Sequence, residues 1–165
     1  MKNNFHAKLV LLVLISLVLG APGVVLGQKS GKVNAGLKPA PPIEAKIERV
    51  WVDHNYRGGM RIHVKFGIED ARNVRCQAVA YFFFDSGEKL RTSRKQYRAA
   101  GGQLATGNLH WVTTGKNGSA EMTLFLPYRE IPLPEGEHEL KFLVQLSTDG
   151  IPADRSGTHR FSLRR

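Results

Sequence analysis

Four side chains near the start of the folded region could take part in acid–base chemistry or bind a metal. Asp53, His54 and Asn55 are consecutive, and His63 follows nine positions after His54. A carboxylate and an imidazole can form a general acid–base pair, and both groups are zinc ligands. However, neighbouring residues on a strand point to opposite faces, so Asp53 and His54 do not converge by themselves. We expect a turn in which Asp53 or Asn55 bonds nearby backbone, and a metal-dependent or hydrolytic domain is the alternative.

No motif of nucleophilic catalysis accompanies these residues. The sequence has neither a Gly-x-Ser-x-Gly elbow nor a glycine-rich phosphate loop opening a helix. Its single cysteine, Cys76, lies in a run too apolar to favour the thiolate. We expect a buried free thiol there, with a reactive or intermolecularly bridged thiol as the alternative. The sequence therefore predicts a non-catalytic protein without a cofactor or a metal.

Basic residues give the strongest indication of binding. Five of them fall within residues 89–98, and two more lie with a histidine on the polar face of residues 60–68. The predicted binding residues are Arg61, His63, Lys65, Lys89, Arg91, Arg94, Lys95 and Arg98. If the segment after Phe84 lies beside residues 60–68, the two groups merge into one surface that attracts anionic polymers or lipid head groups. The alternative is that these charges keep the protein soluble and protect an edge strand from pairing.

The elements that must position these side chains are strands. Residues 60–68 alternate between apolar and polar side chains, which is typical of a half-buried antiparallel strand. Residues 74–84 are apolar on both faces, which predicts a central strand. Weaker patterns predict further strands over residues 48–52, 89–92, 103–113, 120–126, 140–147 and 157–163. We find no convincing pattern of an amphipathic helix.

Seven or eight short strands separated by turns predict an all-β fold. The spacing favours an antiparallel sandwich of two sheets, immunoglobulin-like or related, and a closed barrel is the alternative. The Cys…Trp…Cys core of antibody domains is absent, because the chain has one cysteine. Residues 43–165 have the size of a single domain with one core.

Three marks of this pattern resemble a widespread bacterial module. They are the pair His54-Asn55 after the first strand, the Phe-x-Asp-x-Gly turn ending at Gly87, and the Leu-Pro-Tyr step ending at Tyr128. In these segments the chain resembles an uncharacterised, exported β-sandwich module over most of residues 47–146. The resemblance implies a sandwich fold. It implies no reaction and no site residues.

The first 27 residues have the pattern of a secretory signal. Lys2 and Lys8 precede an apolar run over residues 9–19, and we expect cleavage after Gly27. An uncleaved membrane anchor is the alternative, since no charge occurs between Lys8 and Lys29. Residues 28–42 are basic and rich in glycine and proline, which predicts a disordered linker. We therefore expect a periplasmic, secreted or cell-surface protein, attached to a membrane only through an uncleaved signal.

The net charge narrows the class of partner. The 165-residue chain has a formal charge of +10, and removing residues 1–27, with two lysines and no acid, leaves +8. Nucleic acid is a poor specific partner, because an exported protein meets little of it and no motif of stacking aromatic residues is present. We expect a β-sandwich that binds an extracytoplasmic protein or an anionic polymer through its basic face. A structural module that pairs through a strand edge is a further alternative.

Overall fold

A computed structural model of the chain describes residues 43–69, 73–112 and 118–165. The strands are β1 (Ala45–Tyr56), β2 (Gly59–Ile68), β3 (Val74–Phe84), β4 (Ala105–Val112), β5 (Gly118–Pro127), β6 (Glu137–Thr148), β7 (Ile151–Arg155) and β8 (His159–Arg164). Short 3-10 turns occur at Lys95–Tyr97, Ala100–Gly102 and Tyr128–Glu130. Within these ranges, no helix has the length and apolar character needed to cross a membrane. The predicted signal peptide (residues 1–27) and linker (residues 28–42) lie outside the described residues.

The eight strands form two antiparallel sheets. In the first sheet, β2 lies between β1 and β5. The second sheet has the order β4-β3-β6, and the remaining edge of β6 is shared by β7 and β8. The predicted two-sheet sandwich is thus confirmed.

The core lies between the inner faces of the two sheets. The alternation in β2 buries Met60, Ile62, Val64 and Phe66 completely and turns the intervening polar residues outward. The second sheet contributes the rings of Phe82 and Phe142, whose centroids are 5.6 Å apart, and the buried thiol of Cys76. Leu90, Leu104 and Ile131 come from the connections and complete this core. Because all these side chains are buried, the domain is stabilised mainly by apolar packing.

A two-residue turn joins β1 to β2. Arg57 and Gly58 both have positive φ angles, 49° and 73°, as a type I′ hairpin turn requires. The pairing register shifts between Asp53 and Tyr56, so the end of β1 contains a bulge. Only these two residues therefore separate the end of β1 from the start of β2.

Two parts of the second sheet differ from the prediction. No pattern in the sequence predicts β7, a five-residue strand that contains Pro152 and has mostly exposed side chains. Residues 89–92 were expected to pair back as a strand, but they make only the isolated bridges Phe83–Lys89 and Arg91–Gln103. The connection after β3 instead inserts Leu90 into the core, where its N–H donates to the carbonyl of Phe82 (3.1 Å).

Candidate functional site

The predicted binding residues fall into two groups on different sheets. Arg61, His63 and Lys65 lie on the outer face of β2, whose neighbours are β1 and β5. Residues 89–98, hereafter the basic segment, bridge instead to β3 and to the residue preceding β4, at Phe83–Lys89 and Arg98–Leu104. The two groups of basic residues can merge into one surface only if the basic segment lies beside β2. Because the segment bridges to the second sheet, this requirement is not fulfilled.

The first group is paired with carboxylates from the neighbouring strands. The Arg61 guanidinium donates to Asp53 Oδ2 at 2.7 Å and 3.0 Å. These hydrogen bonds, followed by the one from His63, lower the pKa of the Asp53 carboxyl below its usual value. Lys65 Nζ lies 3.2 Å from the Glu48 carboxylate. The charges of Arg61 and Lys65 are thus offset by acids of β1. The cross-strand register places Asp53 directly opposite Arg61.

His63 lies at the centre of this outer face. Its Nε2 is 3.1 Å from Asp53 Oδ2, and its Nδ1 is 2.8 Å from Glu121 Oε1. The two carboxylates therefore lie on opposite edges of one imidazole and do not converge on a common point. Within the described ranges, no group of three or more metal-ligating side chains is arranged to hold an ion.

His54 does not join Asp53 and His63. Its Nδ1 is 3.4 Å from Tyr128 Oη, and its ring centroid is 6.3 Å from that of Phe161. Asp53 and His63, by contrast, meet on the outer face of the first sheet. The structure therefore brings together Asp53 and His63 and leaves His54 apart.

The basic segment is held against the sandwich at several points. Leu90 is buried, and Tyr97, within a 3-10 turn, packs against the core. Arg94 Nε lies 3.5 Å from the carboxylate of Glu130, a side chain that is only 10% exposed. Arg91 donates to the carbonyl of Gly101 (3.1 Å). These contacts fix the path of the segment, so its remaining charges are presented on an ordered surface.

Three of the charges in the segment point to solvent. Lys89, Lys95 and Arg98 are exposed. In the part of the chain that the structure describes, no carboxylate lies within ion-pair distance of any of them. An anion approaching this side of the protein therefore meets positive charge that is not offset by an ion pair.

Comparison with known proteins adds no family. No protein-family model matches this chain, and none of the curated proteins matches it. The chemistry of the surface is therefore the basis on which a function can be assigned.

A shallow groove adjoins the basic segment on the outer face of the second sheet. It has a volume of about 460 Å³. Its lining includes Val79 and Tyr81 of β3, Gly107 and Leu109 of β4, and Arg98 of the basic segment. Sequence reasoning missed this groove, because the pairing of β3 with β4 and the path of the basic segment depend on tertiary structure. The local indication of this groove in the sequence is that the large apolar residues Leu109 and Trp111 stand two positions apart, on one face of the predicted strand.

A larger depression of about 1020 Å³ is lined by residues of both sheets. Its lining includes Glu44, Glu48, Glu69 and Asp154. Since like charges repel, this depression is a poor site for an anion.

Side chains cover parts of the strand edges between the two sheets. The N–H of Ile47 donates to Asp154 Oδ2 (2.7 Å). On the opposite side, Thr106 Oγ1 donates to the carbonyl of Phe125 (2.8 Å), and Asn108 Nδ2 donates to that of Thr123 (3.0 Å). These bonds occupy backbone groups that an added strand would need.

Proposed function

We propose that this chain is a non-catalytic, exported β-sandwich that binds an anionic extracytoplasmic partner, a protein or a polymer, through the basic segment. One observation carries the proposal. Lys89, Lys95 and Arg98 are exposed on an ordered segment, and no described carboxylate offsets them. The signal-like N-terminus supports export. The overall positive charge supports an anionic partner, because it raises the local concentration of anions at the surface.

The proposal gives a smaller role to the outer face of the first sheet. Arg61, His63 and Lys65 belonged to the binding surface predicted from the sequence. Their charges are offset by Asp53, Glu121 and Glu48, so they attract an anion less than unpaired charges do. We therefore place the binding surface on the basic segment.

Binding to model anions tests this proposal. The purified chain is titrated with poly-L-glutamate and with polygalacturonate, each at low and high salt. We expect affinity to fall by roughly tenfold or more with added salt, because binding releases condensed counterions. The triple variant Lys89→Ala/Lys95→Ala/Arg98→Ala is expected to lose affinity for both polymers.

A matched variant separates the site from net charge. Arg57→Ala/Arg155→Ala/Arg164→Ala removes the same number of exposed positive charges elsewhere on the protein. We expect this control to retain most of the affinity. The proposal would be overturned if both triple variants lost the same affinity, or if the affinity did not depend on the salt concentration.

A further inference from the structure

The floor of the groove beside the basic segment is open and carries the apolar side chains of Val79 and Leu109 and the ring of Tyr81, with Gln77 also in its lining. Gly107 faces Val79 across the β3–β4 pair. A side chain at position 107 would bring its Cβ to 3.1 Å from Val79 Cγ2 and 3.0 Å from the carbonyl oxygen of Ala78. Glycine therefore keeps this part of the sheet face low and accessible.

Large apolar side chains continue from this floor along β4. Leu109 is 52% exposed and Trp111 is 60% exposed. Both lie on the same outer face as Gly107, at successive alternate positions of the strand. Exposed apolar side chains that form a row, rather than occurring singly, mark an interaction surface.

The wall of the groove is positively charged. Arg98 lines it together with Gln96, and no Asp or Glu is among its described lining residues. A ligand that fills the groove therefore meets an apolar floor and a cation at its side. The complementary chemistry is an apolar group next to a carboxylate.

We infer that this groove binds an extended acidic segment of a protein partner, with aliphatic or aromatic side chains on the floor and a carboxylate at Arg98. This inference rests on the proposed function and names its partner. An extended peptide repeats its side chains on one face about every 7 Å, which is the repeat of Gly107, Leu109 and Trp111 along β4. A peptide with apolar residues at every second position therefore places them together on the floor, while the negative charge of the acidic residues between them is attracted to Arg98.

Fluorescence of Trp111 provides the test. The chain has two tryptophans, so the variant Trp51→Phe leaves Trp111 as the reporter. The probe is a synthetic peptide in which Asp and Phe alternate, and its control has Ser in place of Phe. We expect the Asp/Phe peptide to shift the emission of Trp111. We also expect it to bind about tenfold more tightly than the Asp/Ser peptide, because burying a Phe side chain stabilises a complex by enough to raise the affinity by about that factor.

Substitutions in the groove then locate the binding. Leu109→Ser and Arg98→Gln are each expected to weaken the Asp/Phe peptide severalfold. Ile151→Ser removes a side chain that is equally exposed (59%) but lies on β7, and it is expected to leave affinity unchanged. Circular dichroism checks that each variant is folded.

The outcomes separate this inference from the proposed function. If both peptides bind equally, or if Leu109→Ser has no effect while poly-L-glutamate still binds through the basic segment, the inference is wrong and the proposed function stands. If polygalacturonate binds more tightly than the Asp/Phe peptide, the partner is a polymer and the inference is again wrong. If no anionic probe binds, both proposals fail.

Discussion

The imidazole ring of His63 lies parallel to the indole ring of Trp51, with 4.8 Å between their centroids. The same imidazole contacts the carboxylates of Asp53 and Glu121, and its side chain is only 14% exposed. His63 thereby joins side chains from β1, β2 and β5. The outer face of the first sheet is an ordered polar surface that ties its three strands together.

Removing the His63 side chain is expected to destabilise the protein. His63→Ala removes the ring contact with Trp51 and the hydrogen bonds to Asp53 and Glu121, of which only Asp53 keeps another ion-pair partner, Arg61. We expect a loss of about 1–2 kcal/mol in the free energy of unfolding. Urea denaturation measures it. His110→Ala is the control, because His110 lies on β4 and is exposed. Equal unfolding midpoints for His63→Ala and the wild type would contradict this expectation.

The stability of the first sheet is expected to fall at acidic pH, because the Asp53 carboxylate becomes protonated. The hydrogen bond from Arg61, aided by that from His63, lowers the pKa of this carboxyl from 3.8. The ionised carboxylate therefore stabilises the fold above that value, and the stabilisation is lost as pH falls through the lowered pKa. Asp53→Asn should thus differ from the wild type in urea midpoint by more at pH 6 than at pH 3.

An exposed acid provides the comparison for this pH effect. Glu135 is exposed, and its side chain makes no ion pair with the residues described. The variant Glu135→Gln is expected to show the wild-type dependence of the midpoint on pH. If Asp53→Asn changed the urea midpoint by the same amount at both pH values, the assigned role of the Asp53 carboxylate would be contradicted.

The thiol of Cys76 is expected to be inert in the native protein. Burial, with a smaller effect of the Asp149 charge, raises its pKa to about 11, so the thiol is neutral at physiological pH. A chromogenic disulfide reagent should label it slowly in buffer and completely in denaturant. The variant Cys76→Ala/Leu109→Cys, with its thiol at an exposed site, should react at once. Rapid labelling of Cys76 in the native protein would show that it is accessible.

A methyl group at Gly59 is expected to disrupt the pairing of β2 with β5. An added Cβ would lie 2.8 Å from Pro127 Cα and would also clash with the carbonyl oxygen of Leu126. Gly59→Ala should lower the free energy of unfolding by about 2 kcal/mol or more. Gly157→Ala, where no atom lies within 4 Å of the new Cβ, is the control in the same thermal or urea experiment.

Much of the fold could be predicted because burial follows the side-chain pattern of single strands. The alternation from Met60 to Ile68 reports a strand with one buried face, and the structure shows β2 in that position. The strand β7 could not be predicted in this way. It is short, contains Pro152 and exposes Ile151, so it exists through its pairing with β6 rather than through a local pattern.

The candidate site was less accessible to sequence reasoning, because it depends on which strands are neighbours. The pattern showed that Arg61 and His63 face outward, but only the register reveals that Asp53 and Glu121 lie beside them. Likewise, the basic composition of residues 89–98 is evident from the sequence. Its position over the groove near Leu109 follows from the packing of Tyr97 and the burial of Leu90.

The pairing of β3 with β6 has a consequence for how the chain folds. These strands join distant residues, with Cys76 opposite Thr148. The hairpin of β1 and β2, in contrast, closes through two residues. Non-local pairing of this kind is slow, on the order of milliseconds to seconds. During synthesis β3 and its other neighbour, β4, emerge well before β6, so a nascent chain keeps one edge of the apolar strand β3 unpaired until residue 148 is available.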